Sequence, residues 1–131
     1  MKLLLLFSAL MSLSAFAHEL NIAPYVKMQD ALASDDFKSA LDAHKFICQK
    51  ELIHYKEDTY KDCDKKFKDI EELRASFKAL SELYLENGNK KEMSKYEKAS
   101  CPMAKAKWIQ KPGTLRNPYY GKSMLDCGEK I

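Results

Sequence analysis

Ile70-Glu71-Glu72-Leu73-Arg74-Ala75-Ser76-Phe77-Lys78-Ala79-Leu80-Ser81-Glu82-Leu83-Tyr84 is the most regular stretch of this chain. With Phe67 just ahead of it, Ile70, Leu73, Phe77, Leu80 and Tyr84 recur at spacings of three and four, the period of a helix with one apolar face. Asn87-Gly88 is a good C-terminal stop. Thr59-Tyr60-Lys61-Asp62 resembles a capping box and reads as the start. Arg74 and Ser81 share the face of Ile70 and Phe77. They mark either its solvated edge or a pair able to grip carbonyls or rings of the C-terminal segment.

Upstream, Ser34 reads as an N-cap, with Asp35 and Asp36 favourable against the positive end of the helix dipole. Phe37, Ala40, Leu41, His44, Cys48, Leu52 and Tyr55 follow as a second helical stripe. Inside such a stripe His44 reads as a buried, hydrogen-bonded histidine more readily than as a metal ligand. A shorter helix is expected over 24–33, with Pro24 in its first turn and Tyr25, Met28 and Leu32 on one face. Downstream, residues 89–100 are rich in Lys and Glu, with Met93 and Tyr96 the only large apolar side chains. Beyond Cys101-Pro102, the breaks at Pro112-Gly113, Asn117-Pro118 and Gly121 read as loop chemistry. Trp108, Tyr119 and Tyr120 would pin that loop to the helices. The expectation is an all-α domain over 18–131: an antiparallel bundle of three or four helices with a long C-terminal Cys/Met loop (101–128) packed against it.

The chain opens with Lys2, an apolar run from Leu3 through Leu13, and Ala15-Phe16-Ala17. That is the pattern of a secretory signal peptide over 1–17, too short for a membrane span. A periplasmic or secreted protein beginning at His18 is expected. There His18 would carry a free α-amine beside its imidazole, and the two can chelate a metal; the plain reading is that cleavage simply leaves a histidine there. With 22 basic and 19 acidic residues mixed along the chain there is no nucleic-acid footprint. No Ser/His/Asp context, phosphate loop or Cys-x-x-Cys motif supports catalysis, so no enzyme is expected.

Four cysteines in an exported chain leave room for two disulfides. Cys48 and Cys63 lie nearly equidistant from a turn near Lys56-Glu57. An antiparallel helical hairpin would set them opposite one another, which favours a structural disulfide over free thiols or a metal site. Cys101, Met103, Met124 and Cys127 are different, offering two thiolates and two thioethers. That soft set suits Cu(I) or its analogue Ag(I), whereas zinc would more naturally take further Cys or His. Alternatively Cys101 and Cys127 form a disulfide with the methionines as gap-filling core residues. The two states can also be redox alternatives of one site.

Cys101-Pro102-Met103, Trp108 and Arg116-Asn117-Pro118-Tyr119-Tyr120-Gly121-x-x-Met124-x-x-Cys127-Gly128 together resemble the signature of a bacterial domain-of-unknown-function family. The resemblance continues in Ala31-Leu32-Ala33-Ser34-Asp35-Asp36-Phe37 and Arg74-x-x-Phe77-x-x-Leu80-Ser81, so it spans nearly all of 18–131, while Cys48 and Cys63 lie outside it. That family occurs as small exported proteins and as a C-terminal extension of periplasmic adaptor subunits of heavy-metal efflux pumps. The resemblance implies a helical domain and a role near copper or silver handling, with an efflux adaptor as a possible recipient of the ion. The expected function is an exported Cu(I)- or Ag(I)-binding protein. The alternative is a disulfide-stabilised interaction module without metal, docking through its 108–120 loop.

Overall fold

The computed structural model describes residues 18–131, and the expected signal peptide over 1–17 lies outside the described residues. The architecture is mixed, not all-α. Helices α1 (Ile22–Ala33), α2 (Phe37–Phe46), α3 (Ile70–Asn87) and the single turn α4 (Lys90–Met93) are followed by a sheet of β1 (Glu97–Cys101), β2 (Ala106–Gln110) and β3 (Glu129–Lys130). The strands are ordered β2-β1-β3 and all neighbours are antiparallel.

The expectation of an all-α bundle fails in the segment read as a loop. Five-residue strands leave little room for an alternating pattern to show. In β1 the inward positions are Ala99 and Cys101, small side chains that give a weak hydrophobic signal. β2 buries Trp108, Ile109 and Gln110 in succession because one side packs on α3 and α1 while the other is covered by the C-terminal segment. The hairpin between them turns at Pro102–Lys105, where Lys105 takes a left-handed φ of 51°.

The helices also end and begin differently from the reading of their stripes. Asp36 caps α2, its carboxylate accepting from Ser39 N–H at 3.0 Å. Ser34 instead ends α1. Past Phe46 the coil widens into a π-helical turn, Ile47–Glu51, then tightens to a 3₁₀ turn, Leu52–His54. Helix α3 starts at Ile70, not near Thr59. Residues 61–66 carry five charged side chains and too few apolar ones to bury a helical face. Asp69 provides the true cap, accepting from Glu72 N–H at 3.0 Å, while Glu72 reaches back to Lys68 N–H at 2.9 Å. No antiparallel helical hairpin therefore frames the first cysteine pair. Cys48 in the π turn is bonded to Cys63 in the 3₁₀ turn Asp62–Asp64, with Cα atoms 5.6 Å apart.

One core joins these parts. Tyr25, Met28 and Leu32 of α1 meet Leu73, Phe77, Leu80 and Tyr84 of α3 and Trp108 and Ile109 of β2, all without solvent exposure. Tyr25 stacks on Phe77 at 5.0 Å, and its hydroxyl bonds Ser81 and accepts from Ile109 N–H. That hydroxyl thus ties α1, α3 and the sheet at one point. Burial pushes its pKa well above the ordinary value, so it stays neutral.

Candidate sulfur site

The sulfur site forms where the sheet hairpin meets the C-terminal loop. Cys101 is the last residue of β1, held in the ladder opposite Ala106 and almost wholly buried. The tight turn that follows places Met103 outside, 65 % exposed. Cys127 arrives from the other direction, on a turn whose N–H donates to Met124 C=O at 3.2 Å. The Sγ atoms of Cys101 and Cys127 are 3.3 Å apart, and Cys127 Sγ lies 3.9 Å from Met103 Sδ. Both thiols are free.

The two thiols are not equivalent. Burial works against ionising Cys101, but bonds from the Ala104 N–H, the Cys127 thiol, the Asn117 side chain and the Met103 N–H together hold it below the usual thiol range. Cys127 is pushed up, first by its bond to Cys101, then by partial burial and the charges of Cys101 and Asp126. The arrangement pairs Cys101, the more acidic thiol, with Cys127, the less acidic one, and sets a thioether beside them.

Of the four sulfur residues expected to act together, three meet. Met124 is half-buried and its backbone shapes the turn before Cys127, and among the described residues no hydrogen bond joins its sulfur to the other three. Among the described residues, too, no group of three or more His, Cys, Asp or Glu gathers around a common point. The donor set here is two cysteines and one methionine, so its chemistry is that of sulfur alone.

The residues that aim Cys127 are mostly polar and buried, and the sequence reading left several of them out. Asn117 has no exposure. Its side chain donates to Cys127 C=O at 2.8 Å and accepts from Tyr119 N–H at 2.8 Å, while its own N–H bonds Leu125 C=O at 2.7 Å. Arg74 does grip the C-terminal segment: its Nε donates to Pro118 C=O at 2.9 Å, and Nη2 reaches Leu32 C=O and Asp35. Ser81 instead holds the Tyr25 hydroxyl. Arg116 bridges to Asp30 and Ser34 on and just after α1, both at 2.7 Å. Asp35, read as a helix-start acid, takes a φ of 57° and pairs with Arg74, whose guanidinium keeps the carboxyl below its ordinary range. Gly121 and Gly128 fit because a Cβ would strike Asp35 and Arg74 at the first, and Ser100 C=O at the second. The signal for Asn117 and Gly121 was present in the Arg116–Gly121 motif, but their partners lie in α1, α3 and the Cys127 turn, far off in sequence.

His44 is buried among Tyr60, Phe67 and Cys48, its Nε2 2.9 Å from the Tyr60 hydroxyl. It serves the packing near the disulfide and takes no part in the sulfur site. No family model, no curated protein and no solved structure matches the chain.

Proposed function

We propose that the protein binds one soft monovalent ion, Cu(I) or Ag(I), through Cys101, Cys127 and Met103. The observation that supports this most is the meeting of three sulfurs from two separate segments, with separations of 3.3 and 3.9 Å. Sulfurs within about 4 Å of one another can share an ion at ordinary metal–sulfur bond lengths of about 2.3 Å. Thiolate and thioether donors without imidazole or carboxylate favour Cu(I) and Ag(I) over zinc or harder ions. The lowered pKa of Cys101 reduces the proton cost of making it a ligand. Met103 lies on the outer edge of the site, where a partner can approach. This suits a protein that passes its ion on, and the motif resemblance points to an efflux adaptor as the recipient. Met124, whose backbone shapes the turn that carries Cys127, offers a fourth sulfur.

The 3.3 Å contact also supports a second reading, in which Cys101 and Cys127 form a disulfide and the domain acts as a metal-free interaction module. The two readings exclude each other in any one molecule, since a disulfide removes both thiolates. The Cys48–Cys63 bond is compatible with either, and with an oxidising compartment.

The test is an anaerobic Cu(I) titration of the reduced 18–131 chain against a chromophoric chelator, beside Cys101→Ser/Cys127→Ser and Met103→Leu. A one-to-one complex with a Kd of about 1 nM or tighter, lost in the double variant and weakened in Met103→Leu, is expected. Equal binding in the double variant would rule the site out. A thiol count that finds Cys101 and Cys127 bonded in freshly exported protein would favour the second reading.

A further inference from the structure

We propose that the exported chain carries a separate Cu(II) site built from three nitrogens: the α-amine and imidazole of His18 and the imidazole of His54. The inference rests on cleavage after Ala17, as the signal-peptide pattern predicts, and is independent of the sulfur site.

The rings of His18 and His54 lie 4.7 Å apart at 56°, and both residues are exposed. They come from segments more than thirty positions apart, so the pairing is a product of the fold. A chain terminus ordinarily frays unless it is tied down. Here three of the first four described positions are tied. His18 C=O accepts from the Tyr55 hydroxyl. Leu20, with no exposure, exchanges backbone bonds with Asn87 and Asn89 at 2.9 Å. Asn21 donates its N–H and its side-chain amide to the two oxygens of Glu51, at 3.1 and 3.2 Å. These anchors hold His18 against the turn that carries His54 and Tyr55.

The chemistry follows from the donors. The α-amine and ring nitrogen of one histidine close a chelate on a single ion, and a second imidazole adds a third nitrogen. With metal–nitrogen bonds of about 2.0 Å, ring centres stand roughly 3.2 Å from the ion, so two imidazoles at about a right angle lie some 4.5 to 5 Å apart. The observed 4.7 Å fits that arrangement. Neutral nitrogen donors favour Cu(II), which heads the divalent affinity order and accepts square, open coordination. The surroundings are also suited to a cation. Glu19 follows His18 directly, and Glu51, held to Asn21, lies three positions before His54, so two carboxylates sit on the segments that carry the pair. The protein would then hold copper in its two oxidation states at two sites of matching softness.

The test uses exported protein carrying Cys101→Ser and Cys127→Ser, so that no thiol contributes. Its N-terminal mass is measured first, then Cu(II) is titrated against a glycine buffer and followed by visible absorption and electron paramagnetic resonance. We expect a chain beginning at His18, one ion per chain, and hyperfine structure from three nitrogens. His54→Ala, and separately His18→Ala, should each weaken binding on the order of 100-fold, at least the cost of losing an outer-shell partner. Both side chains are exposed, so neither substitution removes core packing. A chain cleaved elsewhere, or affinity unchanged in either variant, overturns the site. Failure of Cu(I) to bind at the sulfurs leaves this result untouched.

Discussion

Acidification should destabilise this protein through His44. Its pKa is lowered from the ordinary 6.5 to about 4, because burial penalises the imidazolium, and the charge of Asp62 only partly offsets this. The ring is 2 % exposed, with Tyr60 and Phe67 edge-on and Cys48 against it. The unfolded chain takes up this proton more readily than the folded one. The associated stability is therefore fully present above pH 6.5, falls as the pH drops, and is gone below about 4. At about 1.4 kcal/mol per pKa unit, the full span is worth about 3 kcal/mol, most of it lost by pH 4.5. Urea unfolding at pH 7.5 and 4.5 measures it, with His44→Gln as the non-titrating control that keeps a bond to Tyr60. Carboxylates held below their ordinary range, such as Asp35 and Glu97, titrate alike in both proteins and cancel in the comparison. The wild type should lose about 2 to 3 kcal/mol more than the variant over that interval. Equal losses would mean that His44 is either already charged in the fold or open to water, and the argument from burial would fail.

Replacing Cys48 and Cys63 by alanine opens a link between residues 15 apart. That should cost roughly 3 kcal/mol, or about 10 °C in Tm, with Cu(I) affinity unchanged; calorimetry beside the chelator titration checks both, and a drop in affinity would show that the two cysteine pairs are coupled. Gly121→Ala drives a Cβ into Asp35 Oδ1 and Arg74 Nη2, at a φ of +59°. Since Arg74 also holds Pro118 and Leu32, moving it aside should cost at least about 2 kcal/mol, read as a thermal shift of roughly 8 °C or more; an unshifted melt would show that the clamp yields freely.

The helical part of the fold was legible because its signal is local. The apolar positions of α3 repeat over five turns, and its stop at Gly88 is written in two residues. The start was misplaced because Thr59-x-x-Asp62 imitates a cap, yet only Asp69 is followed by a face that can be buried. The sheet was not legible for the opposite reason. Ala99, Ser100 and Cys101 carry almost no strand signal, and what makes them a strand is Trp108 opposite Ala99 and the packing of β2 on α3. Pairing of this kind is non-local, so the Pro and Gly positions that bound the hairpin read equally well as the punctuation of a loop.

The sulfur residues were visible for the same reason that their grouping was only partly visible. Residue type states the chemistry, and Cys-x-Met with Met-x-x-Cys named soft donors without any structure. Spacing alone suggests that both sulfurs of each pair lie together, and the fold adds how each pair is held. In the first, Cys101 is locked in a ladder and buried while Met103 lies exposed on the turn, and both sulfurs come close to that of Cys127. In the second, the turn lets Met124 C=O accept from Cys127 N–H, and this backbone bond fixes how Cys127 is presented. What brings Cys127 to Cys101 is Asn117, and what fixes Asn117 is the pair of arginine clamps, Arg74 and Arg116, onto α1 and α3. The Arg-Asn-Pro-Tyr-Tyr-Gly motif is thus a positioning device: its arginine, asparagine and glycine make contacts that serve two sulfurs, and none of them touches a sulfur-bound ligand position except through Asn117.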